Sequence, residues 1–378
     1  MTIHSLASLL PPSLRRTLRA IVDAPGRWAF RRALRRVSFK LPTGETVLSF
    51  GGAIPRKKGA VVHGGRVKLG HLERAFPEGR ESYNILYLVS SAIPRHALEL
   101  VKHAQSHGVK FVWNQNGVGF PAWAGGDSEE VNGPMRKLRE RADFVVYQSV
   151  FCRESAERFL GHSTSGSAVL YNPVDLEMFR PAATPPPAEP WHLLAAGTHM
   201  EAERVTRAIE TIAELRRRGC KALLTVAGQF RWPRAHEEIR EAIRREEVDK
   251  WIYLRPAYSQ DEAVQMLQSA HILLHLKYHD PCPTAVVEAL ACGVPVIGSK
   301  SGGLSELLGA DVGEVLPVSQ SWDQRHYPDA ADLAVAVQRI MTSWPERSVA
   351  ARAHAEQHFD HREWVERHRE IFERLLAA

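Results

Sequence analysis

The feature that most constrains the fold is a regular alternation of short apolar runs with amphipathic helical stretches, which begins near Thr46. Such alternation is typical of parallel sheets flanked by helices and predicts an α/β protein. The predicted strands lie near residues 46–51, 84–89, 110–114, 144–148, 168–171, 192–196, 222–227, 251–254, 272–275, 294–298 and 313–316. The predicted helices lie near residues 66–76, 95–107, 131–142, 150–160, 203–218, 234–247, 260–269, 284–292, 329–342, 345–358 and 361–376.

A proline-rich segment, AATPPPAEP at residues 182–190, interrupts this alternation. Such a segment is extended and semi-rigid, and a chain of 378 residues is long enough for two domains with separate cores. We therefore place a first domain at residues 1–181, a connector at 182–190 and a second domain at 191–360. A final helix follows over residues 361–378.

The positive charge is concentrated near the amino terminus. Residues 1–40 contain nine Lys or Arg and one acidic residue, Asp23, so their net charge is +8 while the rest of the chain sums to −2. Residues 12–40 read as two short amphipathic helices broken at Pro25-Gly26. One interpretation is contact with an anionic membrane surface, where each cation contributes about 1 kcal/mol. The other is that these helices cap the first domain with their arginines in solvent.

Composition excludes several classes of protein. Apolar residues make up 44% and charged residues 24% of the chain, as in soluble globular proteins. No apolar run reaches the roughly 20 residues of a membrane span, and the amino terminus lacks the pattern of a signal peptide. The four cysteines have no metal-ligand spacing, which fits a reducing compartment. We therefore expect a cytoplasmic protein, with peripheral attachment to the inner face of the plasma membrane under the first interpretation above. No motif supports nucleic-acid binding.

The segment from His275 to Glu306 is the most distinctive part of the chain. From Thr284 to Cys292 it predicts a helix that is apolar on every side except at Glu288. An apolar helix of this kind is buried, and a buried carboxylate needs partners, which ligand hydroxyls could provide. The free N–H groups at the start of this helix would also favour an anion.

This segment resembles the E-x7-E signature of family-4 retaining glycosyltransferases, which have the GT-B fold. It reads Asp280, seven residues, Glu288-Ala-Leu-Ala-Cys-Gly-Val-Pro-Val-Ile, and then Gly302-Gly303-x-x-Glu306. A second stretch, from Ala142 through Asn172-Pro173 to Pro181, resembles the segment that leads into the family's interdomain connector. The resemblance implies two Rossmann-like domains facing across a cleft, with the last helix crossing back to the first domain.

The resemblance also implies roles for individual residues. Glu288 would hold the ribose of a nucleotide-sugar, and Asp280, where the family has Glu, would lie beside the donor sugar. Near the donor diphosphate the family has cations, but Thr198 and Glu203 stand at those positions here, so we expect Arg204 to turn inward with His199 or Lys277 assisting. The other predicted donor-binding residues are Gly64, Gly65, Gly197, Gly228, Pro256, Tyr258, Thr284 and Ala285.

On the first domain, the loops that follow the strands are expected to face the cleft, because ligands bind at the carboxyl ends of parallel strands. Asn116 occupies the place where many family members have His, and an amide cannot act as a base. We predict Asn116, Asp280 and Arg204 as the catalytic residues. The predicted acceptor-binding residues are Arg66, Lys68, Asn116, Gly117 and Trp123, and Trp113 could line the same site or belong to the core.

The expected function is that of a hexosyl- or glycosyltransferase that retains anomeric configuration. It would use a nucleotide-sugar and a glycan, lipid-linked or small-molecule acceptor, with neither a cofactor nor a metal. Two alternatives stay open. The departures at Thr198, Glu203, Asp280 and Asn116 would suit a non-catalytic protein that binds nucleotide-sugar or glycan. A GT-B epimerase would convert the donor with no acceptor present.

Overall fold

The computed structural model describes residues 22–36, 38–53, 64–125 and 127–378, apart from the side chains of residues 64–66. The first domain contains a five-stranded parallel sheet in the order β1-β2-β3-β4-β5. Its strands are β1 (Leu48–Ser49), β2 (Ile85–Val89), β3 (Lys110–Gln115), β4 (Phe144–Tyr147) and β5 (Gly166–Val169). Its helices are α1 (Ala24–Leu34), α2 (Gly64–Ala75), α3 (Ala97–Ser106), α4 (Pro121–Ala124), α5 (Glu129–Arg139) and α6 (Val150–Leu160).

Both faces of this sheet are buried, as expected for parallel strands. Alternate residues of β2 and β3 point to opposite cores: Leu86 and Phe111 belong to one, and Tyr87 and Val112 to the other. The first core is covered by α3, α5 and α6. The second is covered by α2 and by the last helix of the chain.

The second domain contains a six-stranded parallel sheet in the order β11-β10-β9-β6-β7-β8. Its strands are β6 (Trp191–Ala196), β7 (Ala222–Ala227), β8 (Ile252–Arg255), β9 (Ile272–His275), β10 (Val296–Ser299) and β11 (Gly313–Leu316). Its helices are α7 (Ala202–Arg217), α8 (Ala235–Arg245), α9 (Gln260–Ser269), α10 (Thr284–Ala291), α11 (Leu304–Leu307), α12 (Ala330–Thr342) and α13 (Trp344–His358). The strand order reverses between β6 and β9, and a crevice at such a switch point is where open α/β sheets bind ligands.

The last helix, α14 (His361–Ala377), returns to the first domain. Trp364, Ile371 and Phe372 are buried against the first sheet, and Leu375 packs at the edge of the same core. The predicted α/β class with two parallel sheets is therefore confirmed. The segment from α13 to α14 is a second covalent connection between the domains, besides residues 182–190.

The basic segment packs on the first domain through α1. The helix starts at Ala24, so Pro25 lies in its first turn, where its missing N–H has no intrahelical partner to lose. Arg31 makes a bidentate ion pair with Glu99 of α3, with 2.7 Å between Nη2 and Oε1. Trp28 stays 63% exposed. The first of the two predicted helices lies almost wholly outside the described residues. Within the described ranges, no helix is long and apolar enough to cross a bilayer.

Candidate active site in the interdomain cleft

The carboxyl ends of the two sheets face each other across a cavity of about 600 Å³, called here the interdomain cavity. A smaller pocket of about 190 Å³, the side pocket, adjoins it and is lined by the second domain and by Val67 of the first. The two share Gly197, Thr198, Thr284 and Ala285 in their walls. The switch point of the second sheet therefore opens directly onto the space between the domains.

Asp280 lies in the loop between β9 and α10, on the wall of the interdomain cavity. Its Oδ2 is 2.9 Å from Lys277 Nζ and 3.5 Å from His275 Nε2. Burial alone would raise the pKa of this carboxyl, but Lys277 and His275 together hold it below its ordinary range, so Asp280 is ionised. The backbone of Gly302 packs closely against this loop. Its φ is +68°, and a Cβ there would lie 2.4 Å from the Asp280 carbonyl oxygen.

Glu288 lies on α10 at the wall of the side pocket, opposite Tyr258. From Val286 onward the remainder of this helix is apolar and packs into the core. Burial raises the pKa of Glu288 to about 8, because no described side chain forms an ion pair or a hydrogen bond with it. With this pKa the carboxyl group is mostly protonated near pH 7, and its hydrogen-bonding capacity is available to a ligand. Tight packing shapes the same pocket at Gly228, where a Cβ would meet the Gly197 carbonyl oxygen at 1.8 Å.

Arg204 faces inward, as the sequence predicts, and Glu203 is exposed to solvent. The guanidinium donates from Nη2 to the Ala196 carbonyl at 2.9 Å and from Nη1 to the Thr198 carbonyl at 3.1 Å. Its Nε is buried without a partner in the described part of the chain. Arg204 therefore brings a positive charge to the cavity wall at the end of β6.

Two residues predicted to bind the donor, His199 and Pro256, line neither the interdomain cavity nor the side pocket. His199 is fully buried beneath Phe230 and lines neither cavity. Its backbone pairs with Gln229 and Arg231, which turns the ring into the domain, and burial lowers its pKa to about 3. His199 is therefore neutral and supplies no cation. Pro256 is exposed outside the pocket, which is lined instead by Ala257 and Tyr258.

Asn116 lies on the floor of the interdomain cavity, and Gly117 and Trp123 line the same space. The Asn116 amide nitrogen donates to Ser91 Oγ at 2.6 Å, and its oxygen accepts from Lys68 Nζ at 2.8 Å. Lys68 itself is 2% exposed and sits behind the floor. It therefore does not reach an acceptor directly, contrary to its predicted role.

The other residues predicted in the first domain lie partly in the core and partly at the cavity. Gly64 and Gly65 form the first turn of α2, whereas the predicted role of the Arg66 side chain lies outside the described residues. Trp113 belongs to the core, where its Nε1 donates to Gln115 at 2.7 Å. Trp123 is 44% exposed and lines the cavity.

Several cavity residues were missed from the sequence. The missed residues of the interdomain cavity include Ser90, Ser91, Gln148, Phe120, Phe151, Tyr278, His279 and Trp322. Those of the side pocket include Ser259 and Gln260. Gln148 follows β4 directly, so the strand-end rule could have found it. Trp322 lies in an irregular loop that carries no sequence signal.

Several contacts hold the domains together around the cavity. Glu306 of α11 accepts hydrogen bonds from the backbone N–H groups of Val150 and Phe151, at 2.7 and 2.8 Å. A carboxylate at the first turn of α6 is favoured by the helix dipole. Trp322 reaches from the second domain to stack on Phe151 at 5.6 Å between ring centroids.

The sequence of the second domain matches a known family. Residues 180–356 match the family model described as glycosyl transferases group 1. This part of the chain is therefore similar to the glycosyltransferase group 1 family. The matched residues include Arg204, Asp280 and Glu288. A curated relative is WcaL of Escherichia coli strain K12, a candidate colanic acid biosynthesis glycosyltransferase. It is 26% identical over 144 residues, which are 36% of this chain and 35% of WcaL.

Solved structures resemble nearly the whole chain. A glycosyltransferase from Rickettsia africae has a TM-score of 0.68 at 14% identity, over 89% of this chain and 99% of the other. HepE of Anabaena, solved in complex with UDP-glucose, has a TM-score of 0.67 at 14% identity, over 87% and 99% of the two chains. The chain therefore has the GT-B fold of two Rossmann-like domains, as the sequence predicts.

Proposed function

We propose that this protein is a glycosyltransferase that takes its sugar from a uridine diphosphate sugar and transfers it to a carbohydrate acceptor with retention of configuration. The observation that carries the proposal is Glu288, an acid held without a described partner in the side pocket, on the part of the chain that is similar to the group 1 family. Ribose hydroxyls would supply the hydrogen bonds that this carboxylate lacks. HepE, which shares the fold, binds UDP-glucose, and this supports the choice of nucleotide.

The charges around the interdomain cavity support transfer by departure of a diphosphate. Negative charge grows on the diphosphate as the sugar–phosphate bond breaks, and prearranged positive groups stabilise it. Arg204, Lys277 and the N-terminus of α10 supply that positive charge from the second domain. The proposal therefore includes no metal ion. Asp280 is ionised and one of its oxygens already contacts Lys277, so its other oxygen would orient a hydroxyl of the donor sugar.

The chemistry of the floor supports the proposed retention of configuration. In the proposed step, the bond from the anomeric carbon to the phosphate oxygen breaks and a bond to the acceptor oxygen forms on the same face. The acceptor proton passes to the departing phosphate oxygen, because Asn116, at the floor, cannot accept a proton at neutral pH. Asn116 would instead position the acceptor hydroxyl or the donor.

Purified protein incubated with a panel of UDP-, GDP- and TDP-sugars and saccharide acceptors tests the proposal. We expect release of nucleotide that depends on both substrates, loss of release in Glu288→Ala, and full activity in Glu241→Ala, which changes an exposed acid on α8. Binding without turnover across the panel would favour the non-catalytic alternative. Conversion of the donor with no acceptor present would favour an epimerase.

We also propose that α1 rests on an anionic membrane surface. Trp28 is 63% exposed beside Arg32, whose guanidinium lies 5.4 Å from the indole ring. Arg35 and Arg36 follow at the exposed end of the same helix. An exposed Trp among cations suits the headgroup region of a bilayer. An acceptor carried on a lipid would then be presented at the first domain, as would a glycan at the cytoplasmic face.

A further inference from the structure

Lys68 of α2 sits in a cage of side-chain amides. Its ammonium donates to Asn114 Oδ1 at 2.6 Å, Asn116 Oδ1 at 2.8 Å, Gln148 Oε1 at 3.2 Å and Asn172 Oδ1 at 3.3 Å. These amides follow or end three neighbouring strands of the first sheet, so they converge at its carboxyl edge. An ammonium group has three hydrogens, and here all of them are directed at neutral oxygens.

No described group balances this charge. The titratable side chains around Lys68 are Cys152 on α6, Cys282 before α10, Tyr87 on β2 and His368 on α14. Burial raises the pKa of both thiols to about 12 and that of Tyr87 above its usual range, and it lowers the pKa of His368 to about 3. All four are neutral near pH 7. A buried cation without a counter-ion is costly, and burial lowers the pKa of Lys68 to about 8.

The cage forms the floor of the interdomain cavity. Asn116, Gln148 and Asn172 separate the ammonium from the cavity and line its surface. Because the amide oxygens face Lys68, the NH2 groups are turned away from it. Those of Asn114 and Asn116 donate within the first domain, to Tyr87 Oη at 2.8 Å and Ser91 Oγ at 2.6 Å. The Asn172 NH2 group donates across the cleft to the Cys282 carbonyl at 2.6 Å, two residues before α10, and lies 3.4 Å from Thr284 Oγ1. The cation therefore lies directly behind the amides that line the cavity floor, next to the N-terminus of α10.

We propose that Lys68 is a positioning residue whose buried charge receives the diphosphate of the donor, acting through the amides that it orients. This inference rests on the proposed function and assigns to the first domain part of the positive charge that Thr198 and Glu203 do not supply. The diphosphate would lie between the amide floor and the N-terminus of α10. It would be the counter-ion that the described residues around Lys68 lack.

The test compares a nucleoside diphosphate with its nucleoside by titration calorimetry at pH 8.5, in two buffers of different ionisation enthalpy. UDP and GDP are each compared with uridine and guanosine. An anion bound near Lys68 raises the pKa of Lys68. We therefore expect the protein to take up about half a proton more when it binds the diphosphate than when it binds the nucleoside. The nucleoside comparison cancels any contribution from Glu288, which would contact the ribose in both ligands.

The variant Lys68→Met should bind the diphosphate at least about tenfold more weakly, as for loss of a hydrogen-bonded charge. It should bind the nucleoside as the wild type does and lose the extra proton uptake. Lys137→Met, an exposed change on α5, is the matched control and should match the wild type throughout. A Lys68→Met protein that lost only stability would bind both ligands normally when folded.

Equal diphosphate affinity in Lys68→Met and wild type would overturn the inference, as would equal proton uptake for diphosphate and nucleoside in the wild type. The comparison of proton uptake uses only the wild-type protein, so it tests the inference even if the variant does not fold. Failure of the proposed function would look different: a wild-type protein that shows the expected proton uptake but transfers no sugar. Transfer of sugar without that uptake would leave the function standing and remove the role of Lys68.

Discussion

Replacing Glu288 by Gln tests whether the ionised carboxylate in the side pocket destabilises the folded protein. Burial raises the pKa of Glu288 to about 8 in the folded protein, whereas an unfolded chain holds a glutamate near 4.3. Between these pH values the folded protein binds more protons than the unfolded chain, so stability falls as pH rises through that window. The penalty is absent well below pH 4 and fully present above pH 8. Glutamine has nearly the same shape and carries no charge.

The size of the effect follows from the shift. At 1.4 kcal/mol per pKa unit, the ionised carboxylate costs up to about 5 kcal/mol, and water in the cleft reduces this to about 2–5 kcal/mol. Glu288→Gln should therefore raise the melting temperature of the second domain at pH 8.5 by at least about 4 °C. The gain should shrink markedly at pH 5.5. Scanning calorimetry at both values measures it, with exposed Glu241→Gln as the control.

The same variant should lose the stabilisation that a nucleotide gives the wild type, because an amide has one acceptor oxygen and cannot ionise to accept both ribose hydrogen bonds. Higher stability together with weaker binding is expected where a residue is kept for function. An unchanged melting temperature at pH 8.5 would refute the reasoning from burial. An unchanged response to nucleotide would remove Glu288 from the ribose site.

Three further changes test other parts of the molecule. Asp280→Asn should lower kcat/KM for transfer about 10- to 100-fold, the effect of losing a hydrogen bond to a charged group, while UDP still binds. Glu306→Gln should weaken the contact between the domains by about 1–2 kcal/mol, because α6 loses a charged cap, and small-angle scattering should show a larger mean radius of gyration. Changing Arg32, Arg35 and Arg36 together to Gln should weaken binding to anionic vesicles about 100-fold, at about 1 kcal/mol per cation.

For each of these three changes, one result would contradict the prediction. Full activity in Asp280→Asn would show that the carboxylate does not contact the donor sugar, and Asp280→Glu, which keeps a carboxylate at this position, should stay active. Unchanged scattering and thermal stability in Glu306→Gln would mean that its hydrogen bonds do not hold the domains. Equal vesicle binding in the arginine triple variant and in a control with Arg240, Arg244 and Arg245 changed on α8 would contradict membrane contact through α1.

The sequence predicts the second domain most closely where one segment carries several constraints. Between Ile272 and Ser299 the strand, apolar helix and strand occur within two residues of their predicted bounds. The lone acid on that helix lies in the side pocket. Hydrophobic pattern and family resemblance agree along this segment, and every feature is local to it.

Predictions that depended on distant backbone contacts were wrong. His199 faces the core because its backbone pairs with the segment around Phe230, some thirty residues away, and no local pattern specifies that pairing. The burial of Lys68 could have been predicted from the sequence. Lys68 precedes Leu72 by one helical turn and therefore shares the buried face of α2, which its predicted role in binding the acceptor did not take into account.

A crystal structure of the protein with a UDP-sugar tests the central claim most directly. We predict ribose hydroxyls within hydrogen-bond distance of the Glu288 carboxylate, and the diphosphate between the N-terminus of α10 and the amides of Asn116 and Asn172. A nucleotide bound outside the interdomain cleft, or one inside it that leaves Glu288 without a contact, would contradict the account.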